Sequence, residues 1–235
     1  MANKLNIAGF KDKDSRLPEY RELYEEHPFI EAYSMHTDKR IEKDGPELAI
    51  GAKRDGFQDW EIHGSAQLAF LRSRGLKPWH TLVDLGCGTG RLAEQAVPYL
   101  DAGRYWGMDI SRNAIKWAMK NACDAGLLPK NPQFIHSDGT FGAVAHLPIN
   151  MIWAHSVITH LPMESVLQLF ADLSKMRFGE FCFTFKSAPE PQRSGLKQFQ
   201  YSPQSLMNAA STYDLASEQL NVDWPAGQKT MRVYR

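Results

Sequence analysis

Val83-Asp84-Leu85-Gly86-Cys87-Gly88-Thr89-Gly90-Arg91 runs an apolar strand straight into three alternating glycines and then into a helix. Glycines carry no Cβ, so the main chain there can turn sharply and lie against a ligand at the carboxyl end of the strand, the usual binding crevice of an open α/β sheet. A simple tight turn would also use glycine, but a strand before and a helix after favour a ligand-facing loop. The spacing is G-x-G-x-G. A dinucleotide loop reads G-x-G-x-x-G, with a pyrophosphate on the helix N-terminus, so an NAD-type oxidoreductase is disfavoured.

Outward from this loop, short apolar runs alternate with helical segments, the pattern of a mostly parallel sheet covered on both faces. The runs are 81–85, 105–110, 133–137, 150–154 and 180–185, with helices expected at 91–100, 111–125, 162–176 and 202–213. Residues 215–222 and 229–234 are expected to pair as closing strands around Trp224-Pro225-Ala226-Gly227, where Pro and Gly supply the turn. Upstream, 64–74 reads as a helix closed by Gly75. Residues 15–26 and 38–50 read as short helices broken around Pro28 and Gly45-Pro46. The expected organisation is an N-terminal helical appendage or lid over residues 1–63 and a core domain over residues 64–235.

The chain has 235 residues, 43% of them hydrophobic and 23% charged, enough for one large α/β core. Its 27 basic side chains balance 27 acidic ones, so the total charge calls for neither nucleic acid nor an anionic membrane surface. Residues 1–63 carry 14 acidic and 10 basic side chains, leaving 17 basic against 13 acidic for the rest. No apolar stretch approaches the roughly 18 residues that a bilayer-spanning helix needs, and residues 1–14 alternate charges where a signal peptide would be apolar. Cys87, Cys123 and Cys182 are odd in number and lack metal-ligand spacing, so neither a disulfide framework nor a zinc site is suggested. A reducing cytoplasm is the expected setting.

Asp109 ends the second strand in Gly107-Met108-Asp109-Ile110-Ser111, where a carboxylate can accept hydrogen bonds from both hydroxyls of a ribose. A helix N-cap is the alternative use of Asp109, and Ser111 already offers that cap. A nucleoside is therefore implied.

With these residues in place the sequence resembles the class I S-adenosylmethionine-dependent methyltransferases, in their small-molecule branch. Their first motif is similar to Asp84 to Gly90, and their second-strand acid corresponds to Asp109. The likeness spans about residues 64–235 and continues at Ile135-His136-Ser137-Asp138-Gly139, where an acid after the third strand contacts the adenine amino group. It continues again at Ile152-Trp153-Ala154-His155-Ser156-Val157-Ile158-Thr159-His160-Leu161-Pro162, the fourth-strand segment. The resemblance implies a Rossmann-like, doubly wound, seven-stranded mostly parallel sheet whose last strand is antiparallel and inserted beside its neighbours. It implies S-adenosylmethionine as cofactor, bound by Asp84, Gly86, Cys87, Gly88, Gly90, Asp109, Ile110, Ser137, Asp138, Gly139 and Ala154. Asp84 would assist the cofactor's ammonium group, or serve instead as a brace accepting loop N–H groups. Ile110 would pack on one adenine face, and Phe141 is a weaker candidate for the other.

Methyl transfer is an in-line displacement at carbon, so the enzyme mainly supplies orientation, exclusion of water and, for some acceptors, a base. His155 and His160 flank the end of the fourth strand, where the acceptor is expected, and are the catalytic candidates, His160 the better placed; each has a packing role as its alternative. The segment 154–157 lacks the Asn/Asp-Pro-Pro-aromatic pattern of enzymes that methylate planar exocyclic amines, and no acidic and amide cluster suggests a metal. Acceptor recognition is expected from Tyr20, Tyr24, Tyr33, His36 and Trp60, and from a loop at 186–201 in which Arg193 and Lys197 could meet an acidic acceptor. The expected partner is a small-molecule acceptor, an O or N nucleophile of the sugar or secondary-metabolite class, without nucleic acid or membrane; a homo-oligomer is compatible with the sequence. Two further readings stay open: attack on the cofactor's aminocarboxypropyl chain, and a non-catalytic nucleoside-binding protein.

Overall fold

Leu82-Val83-Asp84-Leu85 is buried along its whole length, as the central strand of a two-faced sheet must be. In the computed structural model, which describes residues 7, 9–10, 12–49 and 60–235, this strand is β1 (Leu82–Leu85). The helices are α1 (Pro18–Glu26), α2 (Phe29–Asp44), α3 (Pro46–Ala49), α4 (Trp60–Ser73), α5 (Ala93–Tyr99), α6 (Arg112–Asp124), α7 (Met163–Leu173) and α8 (Pro203–Ser211). The other strands are β2 (Tyr105–Asp109), β3 (Gln133–His136), β4 (Ile149–Ala154), β5 (Phe178–Lys186), β6 (Gln192–Gly195), β7 (Gln198–Gln200), β8 (Ala216–Trp224) and β9 (Gln228–Tyr234).

Seven strands form one sheet in the order β3-β2-β1-β4-β5-β9-β8. β1 runs parallel to β2 and β4, and β2 parallel to β3. β9 lies between β5 and β8, antiparallel to both. The fold is thus the expected Rossmann-like, seven-stranded mostly parallel sheet with N-terminal helices. The expected closing strand pair is present, turning through Pro225–Gly227 with Ala226 at φ 62°.

The chain gathers into two compact units. One comprises Thr37–Asp138 and Leu147–Trp153. At its centre the fully buried Trp153 of β4 packs on Phe70 of α4 with ring centroids 5.0 Å apart, and its indole N–H donates to Gln67 Oε1 at 2.9 Å. That bond satisfies the one polar group the indole takes into the core. Gly64 lets α4 approach the start of α5, because a Cβ there would stand 2.9 Å from the Arg91 carbonyl oxygen.

The other unit comprises the described residues up to His36, Gly139–His146 and Ala154–Arg235. Its core is the aromatic run of β5, Phe181, Phe183 and Phe185, all fully buried. β8 is the polar edge: Arg232 of β9 pairs with Glu180 of β5 at 2.6 Å and with Glu218 of β8 at 3.0 Å, tying three strands together.

Three local features differ from the sequence reading. α2 begins at Phe29, nine residues before the expected Asp38, because Pro28 starts it: the Ala32 N–H donates to the Pro28 carbonyl at 2.9 Å. α4 begins at Trp60 and so runs through the expected 63/64 boundary. Residues 186–201, expected as a loop, contain the β6–β7 hairpin. Ile50, the expected end of the second N-terminal helix, lies outside the described residues, as do Lys11 and most of residues 1–14. Among the described residues no helix is long and apolar enough to cross a membrane, and no group of three or more His, Cys, Asp or Glu gathers as a metal site.

Candidate functional site

The glycine loop is held in place before any ligand arrives. Gly86, Gly88 and Gly90 sit at φ 71°, 55° and 94°, a region open to glycine and strained for other residues. Gly86 and Cys87 both donate N–H groups to the Met108 carbonyl, at 2.7 and 2.9 Å, which pins the loop to the end of β2. A Cβ on Gly90 would stand 3.3 Å from the Ala118 α-carbon, so α6 packs directly on the loop. From α6, Asn121 Nδ2 donates to the Thr89 carbonyl at 2.9 Å.

Asp109 is the node of this arrangement. Its Oδ2 accepts the Gly88 N–H at 2.9 Å and its Oδ1 the Ser111 N–H at 2.8 Å, so one carboxylate joins the glycine loop to the start of α6. Each oxygen keeps a further lone pair. Burial raises the Asp109 carboxyl, and the two N–H bonds oppose that shift. Ser111 caps α6 as expected, its Oγ accepting the Ala114 N–H at 2.9 Å. Ser111 in turn donates its hydroxyl to Asp38 of α2, and Asp38 Oδ1 accepts the Asn113 N–H at 3.1 Å. Beside it, His136 Nε2 donates to the Ile110 carbonyl at 3.0 Å, and the Ser137 N–H to the Asp109 carbonyl at 2.8 Å.

Asp84 is 3% exposed and accepts the Tyr105 hydroxyl at 2.6 Å. The brace alternative therefore does not describe it: its partner is a phenol and not a loop N–H. Burial pushes its carboxyl up to about 7, against the pull of the Tyr105 hydrogen bond and the nearby Arg91 guanidinium. Two neighbouring polar atoms, Thr89 Oγ1 and Arg91 Nε, are buried with no hydrogen-bond partner among the described residues. The Cys87 thiol is buried and pushed well above its ordinary range, and its Sγ would lie 3.0 Å from a Cβ at Gly107. It is a packing residue at the loop's base.

The remaining candidates divide between the two units. Asp138 is exposed in the first unit. In the second, Gly139 at φ 91° packs on Ile30 of α2, and Ala154 is buried at the end of β4. Phe141, proposed for the second adenine face, is instead fully buried against Phe181, with its N–H on Asp172 Oδ2 at 3.2 Å.

Within the second unit the two histidines have different surroundings. His155 packs edge-on against Trp224 at 4.8 Å. His160, in the 3-10 turn Ile158–His160, places Nδ1 2.6 Å from the Lys197 carbonyl oxygen. A carbonyl only accepts, so Nδ1 carries the proton and Nε2 the lone pair. Nε2 has no partner among the described residues. Burial and the Lys197 and Lys186 ammonium groups push the imidazole down to about 3, so it is neutral at working pH. Tyr33 of α2 stands 5.7 Å from the His160 ring, and Lys197 Nζ lies 5.2 Å from the Tyr33 ring centroid.

Tyr24 and His36 belong to a second chain of hydrogen bonds: the Tyr24 hydroxyl lies 3.2 Å from His36 Nδ1, and His36 Nε2 2.8 Å from Asp14 Oδ2. Tyr20 stacks on His36 at 4.3 Å. Arg193 does not reach for a ligand. Its guanidinium donates to the Gly195 and Leu196 carbonyls and lies over Phe10, Tyr24, Phe29 and Phe199, clamping the hairpin to the N-terminal helices. Trp60 is a packing residue whose indole donates to Glu94 at 2.9 Å. Sequence reading missed Asp38, Tyr105, Asn121 and His136; only Tyr105, at the start of the second strand, carried any local signal.

Comparison with known proteins agrees with this arrangement. Residues 82–176 match the family model described as a methyltransferase domain. Among solved structures, the chain is similar to magnesium protoporphyrin IX methyltransferase from Synechocystis PCC 6803 with bound S-adenosylmethionine, at TM-score 0.68 and 15% identity over 89% of this chain and 98% of that one. It is also similar to DhpI in complex with SAH, at TM-score 0.60 and 14% identity over 87% and 96% of the two chains. A third is an S-adenosylmethionine-dependent methyltransferase from Clostridium acetobutylicum ATCC 824, at TM-score 0.54 and 15% identity over 86% and 97%. At such identities the likeness establishes the fold.

Proposed function

We propose that this chain, a class I methyltransferase by its fold and by the methyltransferase domain at residues 82–176, uses S-adenosylmethionine to methylate an oxygen or nitrogen of a small-molecule acceptor in the cytoplasm. The observation that carries the reading is the Asp109 carboxylate, fixed by the Gly88 and Ser111 N–H groups with lone pairs to spare for two ribose hydroxyls. The orphaned Arg91 Nε near Asp84, and the orphaned Thr89 hydroxyl in the glycine loop, fit the charged amino-acid tail of the same cofactor. Bound there, the cofactor supplies a methyl group activated by positive sulfur. Gly86, Gly88 and Gly90 admit it by close approach, Cys87 backs the loop, and Ile110, Ser137 and Asp138 of the same unit are its further proposed contacts.

His160 is the candidate for positioning the acceptor, because the Lys197 carbonyl fixes its tautomer and leaves Nε2 available. As a base it is handicapped by the surroundings that hold it neutral. His155, packed on Trp224, is the second candidate. Tyr33 of α2 and Lys197 of the β6–β7 hairpin are the foremost proposed acceptor contacts.

Isothermal titration with S-adenosylhomocysteine (SAH), followed by mass analysis of the cofactor product formed with a turned-over acceptor, tests the proposal. Binding and formation of SAH support it. Formation of methylthioadenosine indicates attack on the aminocarboxypropyl chain, and binding without product indicates a non-catalytic nucleoside binder.

A further inference from the structure

Ser156 follows β4 at φ 61°, a strained backbone for a residue with a side chain, and a ring of hydrogen bonds within the second unit holds it there. The Ser156 N–H donates to Thr184 Oγ1 of β5 at 2.7 Å, Thr184 Oγ1 donates to Gln228 Oε1 of β9 at 2.7 Å, and Gln228 Nε2 donates back to Ser156 Oγ at 2.6 Å. Thr184 is fully buried, which fixes the direction of the ring. Turning the Gln228 amide over would set two donors on Thr184 Oγ1 and leave the threonine proton buried without an acceptor, a cost the observed order avoids. Ser156 Oγ therefore accepts from Gln228, and its own hydroxyl proton, on a half-buried side chain, has no acceptor among the described residues.

We propose, resting on the methyltransferase reading above, that Ser156 is an acceptor-binding residue: its hydroxyl donates to a hydroxyl, carbonyl or carboxylate oxygen of the acceptor molecule. Thr184 and Gln228 are the positioning residues that aim it. An ammonium nitrogen has no lone pair and cannot take that bond. The strained turn and the ring have a use in this arrangement, because a donor already aimed needs no reordering when the acceptor arrives. Four residues on, His160 Nε2 offers a lone pair, so the turn that follows β4 carries both a donor and an acceptor of hydrogen bonds.

The test uses the full-length protein, methyl-labelled S-adenosylmethionine and a protein-free small-molecule cell extract as the source of acceptor. The initial rate of labelling is followed against extract dilution, which gives an apparent KM before the acceptor is identified. Ser156→Ala and Ser156→Gly are each expected to raise that KM about tenfold, the loss of one hydrogen bond, with kcat within about threefold and SAH affinity within about twofold of the parent. Glycine adopts φ 61° without strain, so a thermal midpoint close to the parent's in Ser156→Gly separates lost binding from a lost backbone. Gln228→Glu keeps Ser156 but sets two acceptor oxygens in the ring, which turns the serine proton inward; it is expected to raise the KM as far as Ser156→Ala does. An unchanged KM in the Ser156 variants, a folded Gln228→Glu protein with the parent's KM, a labelled product without such an oxygen, or no labelling by a parent protein that binds SAH overturns the proposal. Failure of the parent to bind SAH overturns instead the cofactor reading on which it rests.

Discussion

Asp84 shows how burial sets the chemistry of a single group. In water its carboxyl would be ionised throughout the neutral range; enclosed beside Tyr105 it titrates at about 7. A folded-state value above the unfolded one means that the folded protein holds a proton the unfolded chain releases. The stability gained this way is complete below about pH 4 and is lost as pH rises through about 7. The apo protein is therefore expected to lose stability between about pH 4 and 7 in denaturant titrations, and Asp84→Asn to flatten that limb. A ligand ammonium beside Asp84 favours the ionised form, so SAH affinity measured by calorimetry is expected to rise about tenfold from pH 6 to pH 8. Tyr105→Phe removes a hydrogen bond that favours ionisation and is expected to move this rise to higher pH; an affinity independent of pH in the parent protein contradicts the assignment. Asp84, the glycines, Asp109 and Ser111 were legible in the sequence because they act within one strand–loop–helix stretch or at its neighbour's end. Asp38 was not, because it reaches Ser111 across 73 residues and no local pattern marks such a partner.

At the scale of elements, the N-terminus of α6 is the joint on which the proposed nucleoside site depends. Asp38 accepts from the Ser111 hydroxyl and the Asn113 N–H, and places negative charge at the positive end of the helix. Asp38→Ala is expected to cost about 1–2 kcal/mol in chemical denaturation and to weaken SAH binding by loosening Ser111, the partner of Asp109. Gly90→Ala forces a side chain into φ 94° and onto the Ala118 backbone, and is expected to cost about 1–3 kcal/mol and to abolish most cofactor binding. Unchanged stability and affinity in both variants would show that the loop and α6 are not coupled. The strands and helices around this joint were legible from alternating apolar runs, most to within one or two residues. The β6–β7 hairpin was not, since its strands are short and mostly polar, with Phe199 in β7 and Leu196 in the turn as its few apolar anchors. The first half of α2 was missed for a related reason: Phe29, Ile30 and Tyr33 are poor helix formers in isolation, and burial of Ala32 and His36 outweighs that preference.

For the whole molecule, alternation alone predicts a parallel sheet and the resemblance adds the inserted antiparallel last strand, while the strand order 3-2-1-4-5-9-8 is supplied by the structure. The division of the chain was less legible, because compact units made of interleaved segments leave no single composition shift to mark them. A ligand that binds only the folded state stabilises all of it by mass action, about 2.7 kcal/mol at one hundred times its Kd. SAH at that excess is expected to raise the thermal midpoint by roughly 5–10 °C in a thermal-shift assay, and NAD at the same concentration to leave it unchanged. The reverse ranking would return the glycine loop to a dinucleotide.

The most direct test of the adenosyl site is a crystal structure of the full chain grown with SAH. The predicted result is adenosyl density along Gly86–Gly90 with both ribose hydroxyls on the Asp109 carboxylate. Density lodged elsewhere, or none at a concentration that calorimetry shows to be saturating, would contradict it.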